Sequence, residues 1–146
     1  MADRNEAAEN KRKHLEMIQG VISRMGGNLF YLRGWSITLT AGLLAIFTSQ
    51  KKLENLRLFP LFILGVVTGM FWIYDGYFLA LERKYRCLYN EVSRKKPEDV
   101  DFSMDVSKFN KEVDNKVIFC MFSKTLAPFY LFLLGVTVYL IVTANG

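Results

Sequence analysis

The sequence holds one histidine, two cysteines and three prolines in 146 residues. His14 has no second histidine to work with, and it sits in a polar helical stretch where it is expected to be solvated. Cys87 and Cys120 lack CxxC spacing, so no metal is expected from them. No HExxH, GxSxG, Walker loop or GxGxxG occurs, and no pair of carboxylates meets a nucleophile. Glu82, Lys84, Arg86 and Glu91 read as an ordinary charged helix surface. Catalysis and a bound cofactor are therefore not expected. The first 28 residues are too charged for a secretory signal peptide, so the first apolar run is expected to remain as an anchor. Internal repeats and low-complexity segments are absent. So are Lys and Arg beyond residue 124.

What the chain does have is long apolar runs. Residues 58–81 carry Asp75 as their only charge, residues 126–144 carry none, and residues 29–49 carry only Arg33. At about 1.5 Å per residue, 19 residues reach about 28 Å, close to the hydrocarbon core of a bilayer. The expected fold is an all-α membrane protein, a single domain over residues 1–146. It comprises a cytoplasmic helix (1–28), a first span (29–49), an outer loop (50–57), a second span (58–81), a cytoplasmic helical segment (82–125) and a third span (126–144). Sixteen Lys and Arg fall on the segments assigned to the inside, against Lys51, Lys52 and Arg57 outside. That bias places the N-terminus in the cytoplasm and the C-terminus outside a bacterial inner membrane. The net charge of +5 then reflects anionic lipid headgroups, and no direct binding of nucleic acid is expected. Both cysteines fall on the cytoplasmic side, as reduced thiols.

Two heptad seams continue the spans into the cytoplasm. Leu15, Ile18, Ile22, Met25, Leu29 and Leu32 recur at intervals of three and four. Tyr74, Phe78, Leu81, Tyr85, Leu88 and Val92 do the same. The short outer loop makes these helices antiparallel neighbours, so their extensions should pack into a stalk about 25 Å long. Gly20, Gly26 and Gly27 weaken the first helix by about 1 kcal/mol each and mark an expected hinge. Pro97 with Glu98 and Asp99 ends the second helix. A third amphipathic stretch presents Val106, Phe109, Val113, Val117 and Cys120 on one face and returns the chain to the third span. Pro128 is tolerated in that span's first turn.

Counted inward from the outer loop, Arg33 and Asp75 both lie about 25 Å deep, at about 1.5 Å per residue. Opposite charges at equal depth on adjacent helices predict a salt bridge, which fixes helix register or forms a polar constriction; the alternative is Arg33 snorkelling alone to the headgroups. Gly65 and Gly69 form GxxxG in the second span, and Gly34 and Gly42 lie in the first; small faces of this kind pack helices within or between chains. Phe71, Trp72, Tyr74, Tyr77 and Phe78, with Tyr31 and Trp35, form an inner aromatic belt. Three spans are too few for a monomeric carrier, and no selectivity-filter sequence is visible.

Residues 16–24 (EMIQGVISR), 33–38 (RGWSIT), 74–79 (YDGYFL), 82–86 (ERKYR), 101–104 (DFSM) and 122–126 (FSKTL) resemble a family of small bacterial three-span membrane proteins. The layout is also similar to that of SLATT-type effectors, with a cytoplasmic helix, a tight two-span hairpin and a helical extension, although a third span is added here. That resemblance implies an inner-membrane effector that oligomerises and perturbs or permeabilises the membrane in anti-phage defence. Assembly would use the glycine faces and the stalk seams. The bilayer, further copies of the chain, a cytoplasmic protein or a nucleotide signal are the implied partners. A basic cluster, Arg94, Lys95 and Lys96, fits a nucleotide or the inner-face charge bias equally. The alternative is a non-catalytic scaffold whose stalk recruits a cytoplasmic partner.

Overall fold

Each of the two continuous seams becomes one long helix. The computed structural model describes residues 2–49, 58–112 and 116–144. The expected outer loop and Val113 lie outside them. Helix α1 spans Ala2–Ser49 and α2 spans Leu58–Arg94, 48 and 37 residues respectively. At about 1.5 Å per residue these reach about 72 and 56 Å. Two short helices follow, α3 (Val117–Met121) and α4 (Leu126–Ala144), and single 3-10 turns occupy Pro97–Asp99 and Ser107–Lys111. No strand occurs among the described residues.

Helix α1 runs unbroken through Gly20, Gly26 and Gly27, and none of them takes a positive φ, so the expected hinge is not a break in the helix. Ile18 packs on α2 before these glycines and Arg33 pairs with Asp75 after them, which holds the backbone helical despite their low propensity. Helix α2 stops just before Pro97, whose ring disfavours helical backbone at the preceding residue. Pro60 and Pro128 lie in the first turns of α2 and α4, where their missing N–H groups cost no helical hydrogen bond.

In the stalk, α1 and α2 are antiparallel. Ile18, Ile22, Leu88, Val92 and Val100 form one buried core, flanked by the half-buried Leu15 and Tyr85. Met25 is half-buried but outside that cluster. Lys11 ties the far ends together. Its Nζ donates to the carbonyls of Ser93 at 2.9 Å and Lys95 at 2.6 Å, placing a cation on the open carbonyls at the α2 C-terminus.

After Pro97 the chain folds back over this core. Val100, Met104, Val106 and Phe109 all pack on it. Phe102, at φ 52°, sits in the left-handed region and sets its ring edge-on against His14 at 5.5 Å. His14 is therefore buried, only 3% exposed, and not solvated as the sequence suggests. A segment 88 residues away covers it, which local polarity cannot reveal. The third amphipathic stretch is likewise not one helix. Asp105 accepts the N–H and the hydroxyl of Ser107, both at 2.8 Å, and this closes a short turn that carries Phe109 onto the stalk. Cys120 is buried separately on α3.

Helices α1 and α2 are long and apolar enough to cross a membrane; α4 is apolar and shorter. Only 17% and 22% of the most apolar stretches of α1 and α2 are buried, unlike core helices of a soluble domain. Phe30, Phe62 and Phe132 are each 70% or more exposed.

Glu91 fastens the fold-back. Both carboxylate oxygens meet Lys108 at 2.7 Å, and Lys95 joins at 3.1 Å. The hydrogen bond from Lys108, with that from Lys95, holds the Glu91 carboxyl below its ordinary 4.5. A depressed carboxylate contributes stability above the unfolded pKa and loses it as pH falls through the folded one. Amide hydrogen exchange across residues 100–111 is therefore expected to accelerate below pH 4.5, beyond the intrinsic rate change. Glu91→Gln should show the faster exchange already at neutral pH and little further acid response. A wild-type profile flat to pH 3 would contradict this role.

Candidate functional site

Toward the apolar ends of the helices the seam keeps its spacing but changes its chemistry. On α1, buried Ile18, Ile22 and Leu29 give way to buried Ser36 and Thr40. On α2, Val92 and Leu88 give way to Asp75 and Thr68, both fully buried. Helix α4 adds Tyr130 and Thr137. Successive buried positions on α2 (64, 68, 75) and α4 (126, 130, 137) are four and then seven apart, so each helix turns one stripe inward.

The stripes meet at Asp75. Its Oδ2 accepts the Arg33 Nε–H at 3.0 Å and the Tyr130 hydroxyl at 3.2 Å, so one carboxylate oxygen joins three helices. The Tyr130 hydroxyl also lies 3.3 Å from the Phe71 carbonyl and shares its proton between the two acceptors. Trp72 stacks on Tyr130, with centroids 5.8 Å apart and planes 16° from parallel. Its Nε1–H donates to the Met121 carbonyl at 2.9 Å, which fixes the chain before α4. Ser36 donates its hydroxyl to the Arg33 carbonyl at 2.8 Å. Asp75 is wholly buried, whereas the Arg33 side chain keeps 34% of its surface exposed.

Three buried oxygens along this interior have no hydrogen-bond partner among the described residues: Asp75 Oδ1, Thr68 Oγ1 and Thr40 Oγ1. Thr40 and Thr68 each lie seven residues beyond the Arg33–Asp75 pair, so the antiparallel register puts them opposite one another. Thr38, Thr137 and Thr143 instead donate to carbonyls of their own preceding turns. The bundle thus encloses a narrow polar interior with Asp75 at one end. No group of three or more metal-ligating side chains occurs among the described residues. Cys87 and Cys120 are not disulfide-bonded.

The glycines separate into two kinds. A Cβ added at Gly34, Gly42, Gly65 or Gly69 meets nothing within 4 Å. At these positions, expected to pack helices, no close helix approach occurs among the described residues. The close approach falls at Gly76, where a Cβ would stand 2.5 Å from Met121 Cγ and 3.4 Å from the Val117 carbonyl oxygen. Sequence spacing missed Gly76 because its partner helix α3 has only five residues and no periodic signal. Tyr130 was missed because a tyrosine in an apolar span resembles a belt residue.

Removing one member of a buried ion pair costs about 3–5 kcal/mol, while replacing both by apolar groups is often neutral. Arg33→Met and Asp75→Leu are each expected to lower stability in detergent by about 3 kcal/mol, and the double variant to recover most of that loss. Additive losses in thermal or denaturant titration would show that the two charges act separately. The chain matches no protein family, curated protein or solved structure in comparisons with all three.

Proposed function

We propose that this protein is a three-span inner-membrane effector that self-associates within the bilayer and perturbs it, in the anti-phage setting that the SLATT-like layout implies. In this reading α4 is the third span, and the stalk and fold-back face the cytoplasm. The observation that carries the proposal is the apolar exterior of α1 and α2 with its open glycine faces. Gly65 and Gly69 on α2, and Gly34 and Gly42 on α1, lie in open space beside exposed Trp35, Val66 and Met70. Where lipid supplies no hydrophobic drive between helices, such faces favour close backbone contact between copies.

The stalk seams take a different part from the one expected of them. Ile18, Ile22, Leu88 and Val92 are already buried against one another, so assembly relies on the membrane faces alone. In this reading the three helices that meet at Asp75 are too few to form a channel in one copy. A polar path therefore requires copies to meet, with the half-exposed Arg33 guanidinium turned toward the contact. A scaffold role is the second reading. It is favoured by the same closure of the stalk core, which leaves a charged surface such as the exposed Lys13 and Arg86 for a soluble partner.

Inducible expression in a bacterium, with a potential-sensitive dye, tests the first reading. Wild type is expected to depolarise the inner membrane, and Gly65→Leu and Asp75→Asn to abolish the effect at equal membrane abundance. Intact potential both at high expression and during phage infection would overturn the effector reading. A strictly monomeric protein in native-like lipid would overturn self-association.

A further inference from the structure

An open cavity of about 730 Å³ lies where α2 leaves its apolar stretch and α4 begins. Arg83 and Arg86 line it from α2, and Ser123, Lys124 and Thr125 from the turn before α4. Among the described residues, its wall carries the cations Arg83, Arg86 and Lys124 and the carboxylate of Glu112. That carboxylate also accepts the Cys87 S–H at 3.6 Å. Arg86 pairs with Glu82 at 2.7 Å, and its side chain, 62% exposed, keeps further donors. The hydroxyls of Ser123 and Thr125 stand 3.4 Å apart at the mouth. The N–H groups of Leu126 and Ala127 are already taken by the Ser123 hydroxyl and carbonyl, so the anion chemistry lies with side chains.

Two further features narrow the ligand. Phe119 and Phe122 line the same cavity and are 50% and 66% exposed. The cations flank the ends of two apolar helices, Arg83 directly after the expected second span and Lys124 directly before α4. Cations and hydroxyls that share a cavity with open aromatic rings suit an amphiphile better than a free anion. A lipid phosphate would meet the charged wall while its glycerol and upper acyl chain lie on the rings.

We propose that this cavity binds a phosphate ester, and that its source is the headgroup of an anionic phospholipid held by Arg83 and Lys124. The proposal rests on the bilayer placement of α2 and α4 but not on self-association.

The test uses the full-length protein extracted from membranes into a neutral detergent. Retained lipid is counted by native mass spectrometry after adding phosphatidylglycerol or phosphatidylcholine. Wild type is expected to retain phosphatidylglycerol preferentially, and Arg83→Gln/Lys124→Gln to lose that preference by about thirtyfold, as removal of two cations near an anionic headgroup implies. Arg83→Lys/Lys124→Arg should retain it. Arg12→Gln/Lys13→Gln, with the same charge change far along the stalk, should also retain it. Circular dichroism and elution volume establish that each variant is folded. Equal loss in the stalk variant, or no loss in Arg83→Gln/Lys124→Gln, overturns the site. Saturable binding of inorganic pyrophosphate in phosphatidylcholine nanodiscs, without any phosphatidylglycerol preference, overturns the lipid source in favour of a soluble phosphate. Release of the protein by alkaline carbonate overturns the bilayer placement itself, and so separates that failure from the others.

Discussion

The Asp75 carboxylate is the point on which this fold turns. Buried completely, it would cost several kcal/mol if left alone in a low-dielectric interior. Arg33 from α1 and Tyr130 from α4 reduce that cost by meeting the same oxygen. A hydrophobic stripe can slide along its neighbour by a turn with little penalty. A carboxylate with two named donors cannot, and so it sets the register of all three helices at once. Trp72 extends the constraint by stacking on Tyr130 and holding the Met121 carbonyl, so the path of the chain into α4 is fixed by the same group of side chains.

The stalk follows a different logic. Its core is aliphatic and is closed by a chain segment that returns from beyond Pro97. Polar clamps support it: Lys11 on the α2 carbonyls ties α1 to the end of α2, and Glu91 between Lys95 and Lys108 holds the return. None of these contacts depends on a bilayer. The molecule therefore combines a half whose core is aliphatic with a half whose surface is apolar and whose buried positions carry polar groups.

The features legible in the sequence were those with a period or an equal depth. Two seams at three-four spacing specify two long helices, and the pairing of Arg33 with Asp75 follows from counting along them. What escaped were contacts made by aperiodic segments. His14 looks solvated until Phe102 folds over it, and Gly76 looks ordinary until Met121 arrives. The glycine faces show the opposite difficulty. Their spacing is evident, but spacing alone does not distinguish a neighbour in the same chain from open surface.

Helix α1 is a single rod of 48 residues. Lys11 and Arg33 lie 22 residues apart on it, about 33 Å at 1.5 Å per residue. A helix turns about 100° per residue, so a one-residue slip of α1 against α2 in the stalk would carry Arg33 off the Asp75 side of the rod. The two ends thus form one torsional unit. The buried charge cannot separate without the stalk seam changing phase, and the stalk cannot change phase without exposing that charge to whatever surrounds the apolar half.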